Sequence, residues 1–187
     1  MRDENKYALL IDAENVSSKY IRIVTKEAQA LGNITIRRIY GDWTATAKNS
    51  WKDSLLENSL SPIQQYSYTK GKNATDSALI IDAMDILYSG NVDGFCIVSS
   101  DSDFTRLAAR LREAGMFVIG MGEQKTPAPF IAACEKFKYL EVLASSTENV
   151  QEPSSESAPE EKTGRRTLMA TRFQVTRAIK AIVNDIS

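Results

Sequence analysis

Residues 94–104 read Gly-Phe-Cys-Ile-Val-Ser-Ser-Asp-Ser-Asp-Phe, an apolar run that breaks into small polar residues before a helical pattern begins. A short apolar run bounded in this way is typical of a strand that is covered on both faces, as in a parallel sheet. Asp101 and Asp103 would then lie at the carboxyl end of a strand, where open α/β sheets bind their ligands. The segment therefore predicts an α/β fold with an acidic site at one edge of the sheet.

Apolar runs and helical patterns alternate along most of the chain. Strands are predicted at 7–11, 34–40, 63–68, 95–98, 116–120 and 139–143, and helices at 17–31, 43–58, 74–88, 104–114 and 127–136. Such alternation indicates a largely parallel sheet with helices on both faces. The helix at 74–88 is apolar on every side, which predicts a central position in the fold.

Length and composition predict one folded domain with a tail. A chain of 187 residues with 43% apolar content can bury one substantial core. We expect this domain at 1–144. The stretch 145–164 is rich in Ser, Glu and Pro and is predicted to be a disordered linker, because it has too few apolar side chains to bury. Residues 165–187 have apolar side chains at helical spacing among basic ones, which predicts an amphipathic helix.

Several features of the sequence indicate the cellular compartment of the protein and the type of catalytic chemistry that it could perform. No apolar run approaches the roughly 18 residues that span a bilayer, and the first residues lack a signal-peptide pattern, so we expect a cytoplasmic protein without a membrane partner. Cys96 and Cys134 lie in apolar segments and are expected to be reduced core residues. The chain has no histidine. Chemistry at the acidic residues would therefore be metal or phosphate chemistry and not imidazole acid-base catalysis.

Four carboxylates share one position in the predicted architecture. Asp12 ends the first strand, Asp76 begins the apolar helix, and Asp101 and Asp103 follow the fourth strand. Strand ends and helix starts of a parallel sheet meet at one edge. Carboxylates that converge there repel one another unless a cation neutralises them, and oxygen ligands of this kind suit Mg²⁺ or Mn²⁺.

Each of these acids also has a structural explanation. Asp12 with Asn15 could form a turn and helix cap, and Asp76 could be a first-turn acid that the helix dipole favours. Asp101 and Asp103 stand at a helix start, where caps are frequent. The metal-site prediction therefore depends on all four acids reaching the same edge of the sheet.

Asp82 lies among apolar residues of the predicted helix 74–88, about 120° around the helix from Asp76. A buried carboxylate needs a partner. Two alternatives remain open, namely a supporting role at the acidic site and a structural contact to a backbone N–H or a basic side chain.

Aromatic and basic residues around the same helix indicate where RNA could bind. Tyr68, Lys70 and Lys72 precede it, and Arg106 follows the aspartate pair. Such groups can hold phosphates and stack on unpaired bases, although a strand edge and a solvated helix face explain them equally well. The first 144 residues hold 17 basic and 18 acidic residues. If several acids converge on one metal, the remaining surface is net basic, which allows a polyanionic partner.

Three sequence blocks together resemble a known family. They are Leu-Ile-Asp-Ala-Glu-Asn at 10–15, Lys-Asn-Ala-Thr-Asp at 72–76, which leads to Asp82, and Val-Ser-Ser-Asp-Ser-Asp-Phe at 98–104. In this order they resemble the NYN domain of the LabA-like branch of PIN-like nucleases, over about residues 6 to 143. The resemblance implies a PIN-like three-layer α/β/α sandwich with a mainly parallel sheet, and a divalent-metal-dependent ribonuclease.

The resemblance also implies roles for individual residues. Four carboxylates would be catalytic and bind Mg²⁺ or Mn²⁺, and two further side chains would support them: Asp12, Asp76, Asp101 and Asp103, and then Asn15 and Asp82. The family's third block often begins Ser-Gly-Asp, whereas this chain has Ser99-Ser100-Asp101, which alters the turn and keeps both acids. Some related proteins carry a LOTUS (OST-HTH) RNA-binding module after a linker, and the basic helix at 165–187 would be the start of a truncated one.

The primary functional prediction is hydrolysis of single-stranded or structured RNA, with endonucleolytic cleavage favoured and a homodimer left open. An alternative of a different class is a catalytically weak RNA-binding or regulatory module with a PIN-like fold, which the linker and the basic helix favour. A Toprim-like or phosphatase-like Asp-x-Asp site fits less well, because Toprim needs a glutamate where this chain has Asp12.

Overall fold

The computed structural model of the chain describes residues 5–44, 49–66 and 74–148. The strands are β1 Lys6–Asp12, β2 Asn33–Gly41, β3 Ser61–Gln64, β4 Gly94–Val98, β5 Phe117–Gly122 and β6 Lys136–Tyr139. The helices are α1 Ile21–Gln29, α2 Asn49–Glu57, α3 Ala74–Ser89, α4 Thr105–Glu113, α5 Ala128–Ala133 and α6 Leu140–Glu148. Single turns of 3-10 helix at Ser18–Tyr20 and Ser102–Phe104 precede α1 and α4.

The six strands form one parallel sheet in the order β3-β2-β1-β4-β5-β6. The chain builds outward from β1 in one direction and then returns to build outward from β4 in the other. The strand order therefore reverses between β1 and β4, and a doubly wound sheet has its ligand crevice at the carboxyl ends of those strands. The predicted α/β class with a parallel sheet is confirmed.

Alternate side chains of β1 enter two separate cores, because successive residues of a strand point to opposite faces. Leu9 and Ile11 belong to the core that includes residues of α1, α2 and α6. Ala8 and Leu10 belong to the core that includes residues of α3, α4 and α5. The result is a three-layer α/β/α sandwich, as the resemblance implied.

The helix α3 is less central than its composition indicates. Leu79 and Ala83 are fully buried, but Ile81 is 63% exposed and Tyr88 is 74% exposed. In a three-layer sandwich the sheet covers only one side of each helix, so an apolar residue on the far side remains in water. The predicted central position therefore holds only for the side of the helix that packs on the sheet.

The last strand was predicted at 139–143, and this assignment is wrong. The strand β6 covers Lys136–Tyr139, and Leu140 begins α6. A short apolar run fits either a strand or a helix. Here Leu140 is fully buried in the core shared with α1, which a helix permits. The helix α6 continues to Glu148 and so occupies the first residues of the stretch predicted as linker.

Within the three described ranges, no helix is long and apolar enough to cross a bilayer.

Two predicted elements differ in length from the observed ones. The third strand is shorter than predicted, and its Pro62 is tolerated because β3 is at the edge of the sheet. The predicted helix 43–58 has its described helical part at Asn49–Glu57.

Candidate metal centre

Asp12 is the last residue of β1 and is fully buried. Its Oδ1 accepts hydrogen bonds from the backbone N–H groups of Glu14, at 2.9 Å, and Asn15, at 3.3 Å. Its Oδ2 accepts from Asn15 Nδ2, at 2.9 Å, and from the hydroxyl of Ser99, at 2.7 Å. The turn predicted from Asp12 and Asn15 is therefore present, and it holds the carboxylate in one orientation.

Asp101 caps the 3-10 turn that leads into α4. Its Oδ1 accepts a hydrogen bond of 2.9 Å from the backbone N–H of Asp103. Its own backbone N–H donates to Ser99 Oγ at 3.0 Å, and Asn15 Nδ2 lies 3.5 Å from its Oδ2. Asp101 thus caps the turn with Oδ1, while its Oδ2 faces Asn15 Nδ2, which also bonds Asp12.

Asp76 comes from α3, on one face of the sheet, and meets the two aspartates that follow β4. It lies in the first turn of that helix and is only 8% exposed. One carboxylate oxygen from each of Asp76, Asp101 and Asp103 lies within 4.8 Å of the others. We call these three residues the acidic cluster. It does not include Asp12, whose part as a fourth metal ligand stays a prediction.

The environment of Asp76 opposes its ionisation. Burial is the main cause and raises its pKa from 3.8 to about 6, with further contributions from the negative charges of Asp12, Asp101, Asp103 and Glu14. Residues from β1, α3 and the β4–α4 loop therefore interact electrostatically at a single place. A bound cation would offset the repulsion among these carboxylates.

The acidic cluster fits a hard divalent cation. Its donor atoms are carboxylate oxygens from three side chains, the ligand type that Mg²⁺ and Mn²⁺ prefer. Mg²⁺ usually takes only one or two protein carboxylates and keeps several waters. The three residues could therefore hold such an ion.

Two further residues of the site did not emerge from the sequence. Ser99 hydrogen bonds to both Asp12 and the backbone of Asp101. Glu14 accepts a hydrogen bond of 3.1 Å from the hydroxyl of Thr75, the buried neighbour of Asp76. Glu14 thereby links the β1–α1 loop to the first turn of α3. The available signal was their position, since Ser99 directly follows a strand and Glu14 stands between Asp12 and Asn15.

Asp82 has the structural contact that was one of its two alternatives. Its carboxylate accepts hydrogen bonds from the Arg38 guanidinium and from the Tyr40 hydroxyl, both on β2. The hydrogen bond with Asp82 raises the pKa of Arg38, and burial followed by Asp82 raises the pKa of Tyr40. The structure thus gives Asp82 partners on β2 and does not bring it into the acidic cluster.

The residues predicted to contact RNA are only partly described. Tyr68, Lys70 and Lys72 lie outside the described residues. Arg106 is exposed in the first turn of α4, shortly after Asp103. Its position is compatible with a strand of RNA at the acidic cluster, and its role in binding stays a prediction.

Comparisons with known proteins agree with this architecture. A family model described as NYN domain matches residues 6–141. An uncharacterized protein of Methanocaldococcus jannaschii is 26% identical over 127 residues, which is 66% of this chain and 50% of that protein. The chain thus spans about half the length of this relative. The crystal structure of a protein of unknown function from Vibrio parahaemolyticus has a TM-score of 0.60 at 18% identity, over 74% of this chain and 94% of that one, and supports the fold alone.

Proposed function

Because the chain belongs to the NYN domain family, we propose that it is a metal-dependent ribonuclease that hydrolyses phosphodiester bonds at the acidic cluster. The observation that carries the proposal is the convergence of Asp76, Asp101 and Asp103 within 4.8 Å. These residues come from two separate segments of the chain, so helix capping alone does not explain why they meet. Three other predictions from the sequence belong to this proposal. They are membership of the LabA-like branch, a cytoplasmic location and a homodimer as one possible oligomeric state.

The chain's own residues would bind and orient the reacting groups. Asp76, Asp101 and Asp103 would hold Mg²⁺ or Mn²⁺, and Asp12 is proposed as a fourth ligand. When bound, such an ion lowers the pKa of water and offsets negative charge at the phosphate. Asn15 and Ser99 would keep Asp12 and Asp101 in fixed positions through their hydrogen bonds.

The absence of histidine bears on the products. A mechanism that uses a pair of histidines to form a cyclic phosphate has no acid or base in this chain. That route is therefore excluded. Family membership implies attack by water, which is expected to leave a 5′-phosphate and a 3′-hydroxyl. The side chains of Asn15 and Ser99 do not gain or lose protons near neutral pH, so their contribution would be to position the carboxylates.

The test is cleavage of end-labelled single-stranded RNA in Mn²⁺ or Mg²⁺. We expect the unaltered protein to cleave it, EDTA to abolish cleavage, and Asp101→Asn to reduce the rate by at least 100-fold, the order that loss of one charge-stabilising group costs. Asp85→Asn is the matched control, because Asp85 is exposed on α3 and is not in the acidic cluster. Equal rates for Asp101→Asn and the unaltered protein would overturn the proposal. RNA binding without metal-dependent cleavage would favour the alternative of an RNA-binding module.

A further inference from the structure

A cleft of about 370 Å³ lies on the face of the sheet that carries α1 and α2, opposite to α3. It is formed by α1, by β2 and by the turn that follows α2. The charged and amide side chains that line it are Arg22, Lys26, Gln29, Arg37, Glu57 and Asn58. None of them belongs to the acidic cluster, and none was singled out by the sequence.

The cleft carries more positive than negative charge. Three of its side chains are cationic, and Glu57 is the one carboxylate among the residues that line it. Arg22 approaches Glu57 at 3.5 Å, but the two side chains are 82% and 58% exposed, so this ion pair is weak. Within the described part of the chain, Lys26 and Arg37 form no ion pair. Cations that outnumber the carboxylates in a concave surface attract an anionic partner.

One end of the cleft, at Arg22 in the first turn of α1, lies toward the edge of the sheet that carries the acidic cluster. In a parallel sheet the connecting helices begin at the carboxyl ends of the strands, so the first turn of α1 is at the same edge as Asp12. Arg22, Lys26 and Gln29 follow one another at one-turn spacing along one side of α1. They span about 10 Å at 1.5 Å per residue. The cations thus form a path that leads away from the edge where the cluster lies.

We propose that this cleft binds backbone phosphates of a single-stranded RNA whose scissile bond lies at the acidic cluster. The choice of RNA rests on the proposed function. Lys26 and Arg37 contact phosphates directly, and the amide of Gln29 is a hydrogen-bond donor for phosphate or sugar oxygens. Asn58 Nδ2 donates one hydrogen bond of 2.9 Å to the Ser54 carbonyl and has a second N–H for the same purpose. The contacts go to the backbone and therefore add affinity without selecting a base sequence.

The test is binding of fluorescein-labelled single-stranded RNA, followed by anisotropy at several salt concentrations in EDTA, so that cleavage does not occur. The variant is the double substitution Lys26→Gln and Arg37→Gln. The matched control is Lys6→Gln with Lys136→Gln, which removes the same charge from exposed lysines at the starts of β1 and β6 that do not line the cleft.

Loss of two phosphate contacts should lower the slope of log K against log salt concentration by about 1.4, since each contact on a single strand contributes about 0.7. We expect the control double variant to keep the slope of the unaltered protein. Equal slopes for the two double variants would overturn the inference. If the cleft double variant does not fold, Lys26→Gln alone should lower the slope by about 0.7 and decides the question in the same way.

The outcome is separate from that of the cleavage experiment. A protein that cleaves RNA, but whose RNA binding is the same with and without the cleft cations, retains the proposed function and contradicts this inference. A protein that binds RNA through the cleft without cleaving it contradicts the proposed hydrolysis and supports the binding of backbone phosphates in the cleft.

Discussion

The hydroxyl of Ser99 donates a hydrogen bond of 2.7 Å to Oδ2 of Asp12. The bond joins the residue after β4 to the last residue of β1, and these strands are the pair between which the sheet reverses its order. Because the same hydroxyl oxygen accepts the backbone N–H of Asp101 at 3.0 Å, it holds two carboxylates of the site in register. Both Ser99 and Asp12 are fully buried, so water does not replace the bond if it is lost.

Replacement of Ser99 by alanine should therefore weaken both the fold and the site. A buried carboxylate oxygen would lose one donor, and the N–H of Asp101 would lose its acceptor, at a cost of about 1–3 kcal/mol in the free energy of unfolding. Urea denaturation measures this loss, and Mn²⁺-dependent RNA cleavage should fall with it.

Ser100→Ala is the matched control for this prediction. Ser100 is also buried, but its hydroxyl accepts the backbone N–H of Glu123 and the bond does not involve a carboxylate of the cluster. We expect its cleavage rate to stay close to that of the unaltered protein. Equal losses of cleavage in the two variants would contradict a specific role for Ser99.

The raised pKa of Asp76 predicts a gain of stability when its charge is removed. Its pKa is about 6 in the folded protein and 3.8 ordinarily, so the folded state binds the proton more tightly. The stabilising effect of that proton is present below about pH 4 and is lost as the pH rises through 6. At pH 7.5 and without metal, Asp76→Asn should be more stable by on the order of 1–3 kcal/mol. Thermal melting in EDTA at pH 7.5 and pH 4.5 measures this, and the difference should shrink at the lower pH.

Added Mn²⁺ should reverse the order of these two proteins. The ion stabilises a folded protein that binds it, and Asp76→Asn removes one of its proposed ligands. The exposed Asp53→Asn, on α2, is the control and should melt with the unaltered protein under all conditions. If Asp76→Asn melts at a lower temperature than the unaltered protein in EDTA at pH 7.5, the electrostatic account of this residue is wrong.

Asp82 should matter for stability and not for metal binding. Asp82→Asn leaves the Arg38 guanidinium without its carboxylate and weakens the bond from Tyr40, which should cost about 1–3 kcal/mol. Titration with Mn²⁺ should give an unchanged affinity. Asp85→Asn, exposed on the same helix, should change neither quantity. Loss of Mn²⁺ affinity in Asp82→Asn without loss of stability would instead indicate that Asp82 assists the acidic cluster.

The link from Glu14 to Thr75 should control metal affinity through the position of Asp76. Thr75→Val keeps the shape of the buried side chain and removes the donor to Glu14. Loss of a partner that orients a metal ligand typically lowers metal affinity by about tenfold or more, so we expect Mn²⁺ affinity to fall by roughly that factor. Thr25→Val is the control, since Thr25 is a buried threonine that hydrogen bonds only within α1, to the Ile21 carbonyl. An unchanged Mn²⁺ affinity in Thr75→Val would show that this bond does not position Asp76.

The acidic cluster could be predicted largely from sequence, while its supporting contacts could not. Asp76, Asp101 and Asp103 stand at a helix start and a strand end, and local patterns reveal both kinds of position. The bonds of Ser99 to Asp12 and of Thr75 to Glu14 join residues far apart in the chain. They depend on the register and spacing of packed elements, which a single sequence does not specify.

Edges and outer faces differ from prediction for a related reason. The run 139–143 is compatible with strand or helix by pattern, and burial of Leu140 against α1 selects the helix. Likewise, the apolar composition of α3 does not reveal that Ile81 faces water. Which side of a helix the sheet covers is settled by the layer architecture and not by the helix alone.

The sequence by itself determined the alternation of strands and helices, the parallel sheet and the four aspartates at its carboxyl edge, because these follow from periodicity and from the order of elements along the chain. Only the tertiary structure decided that Asp82 pairs with Arg38 and Tyr40, that Ser99 holds Asp12, and that Lys26 and Arg37 share a cleft. Side-chain partners from different elements are set by strand register and helix packing, and these arise from the simultaneous packing of the whole core.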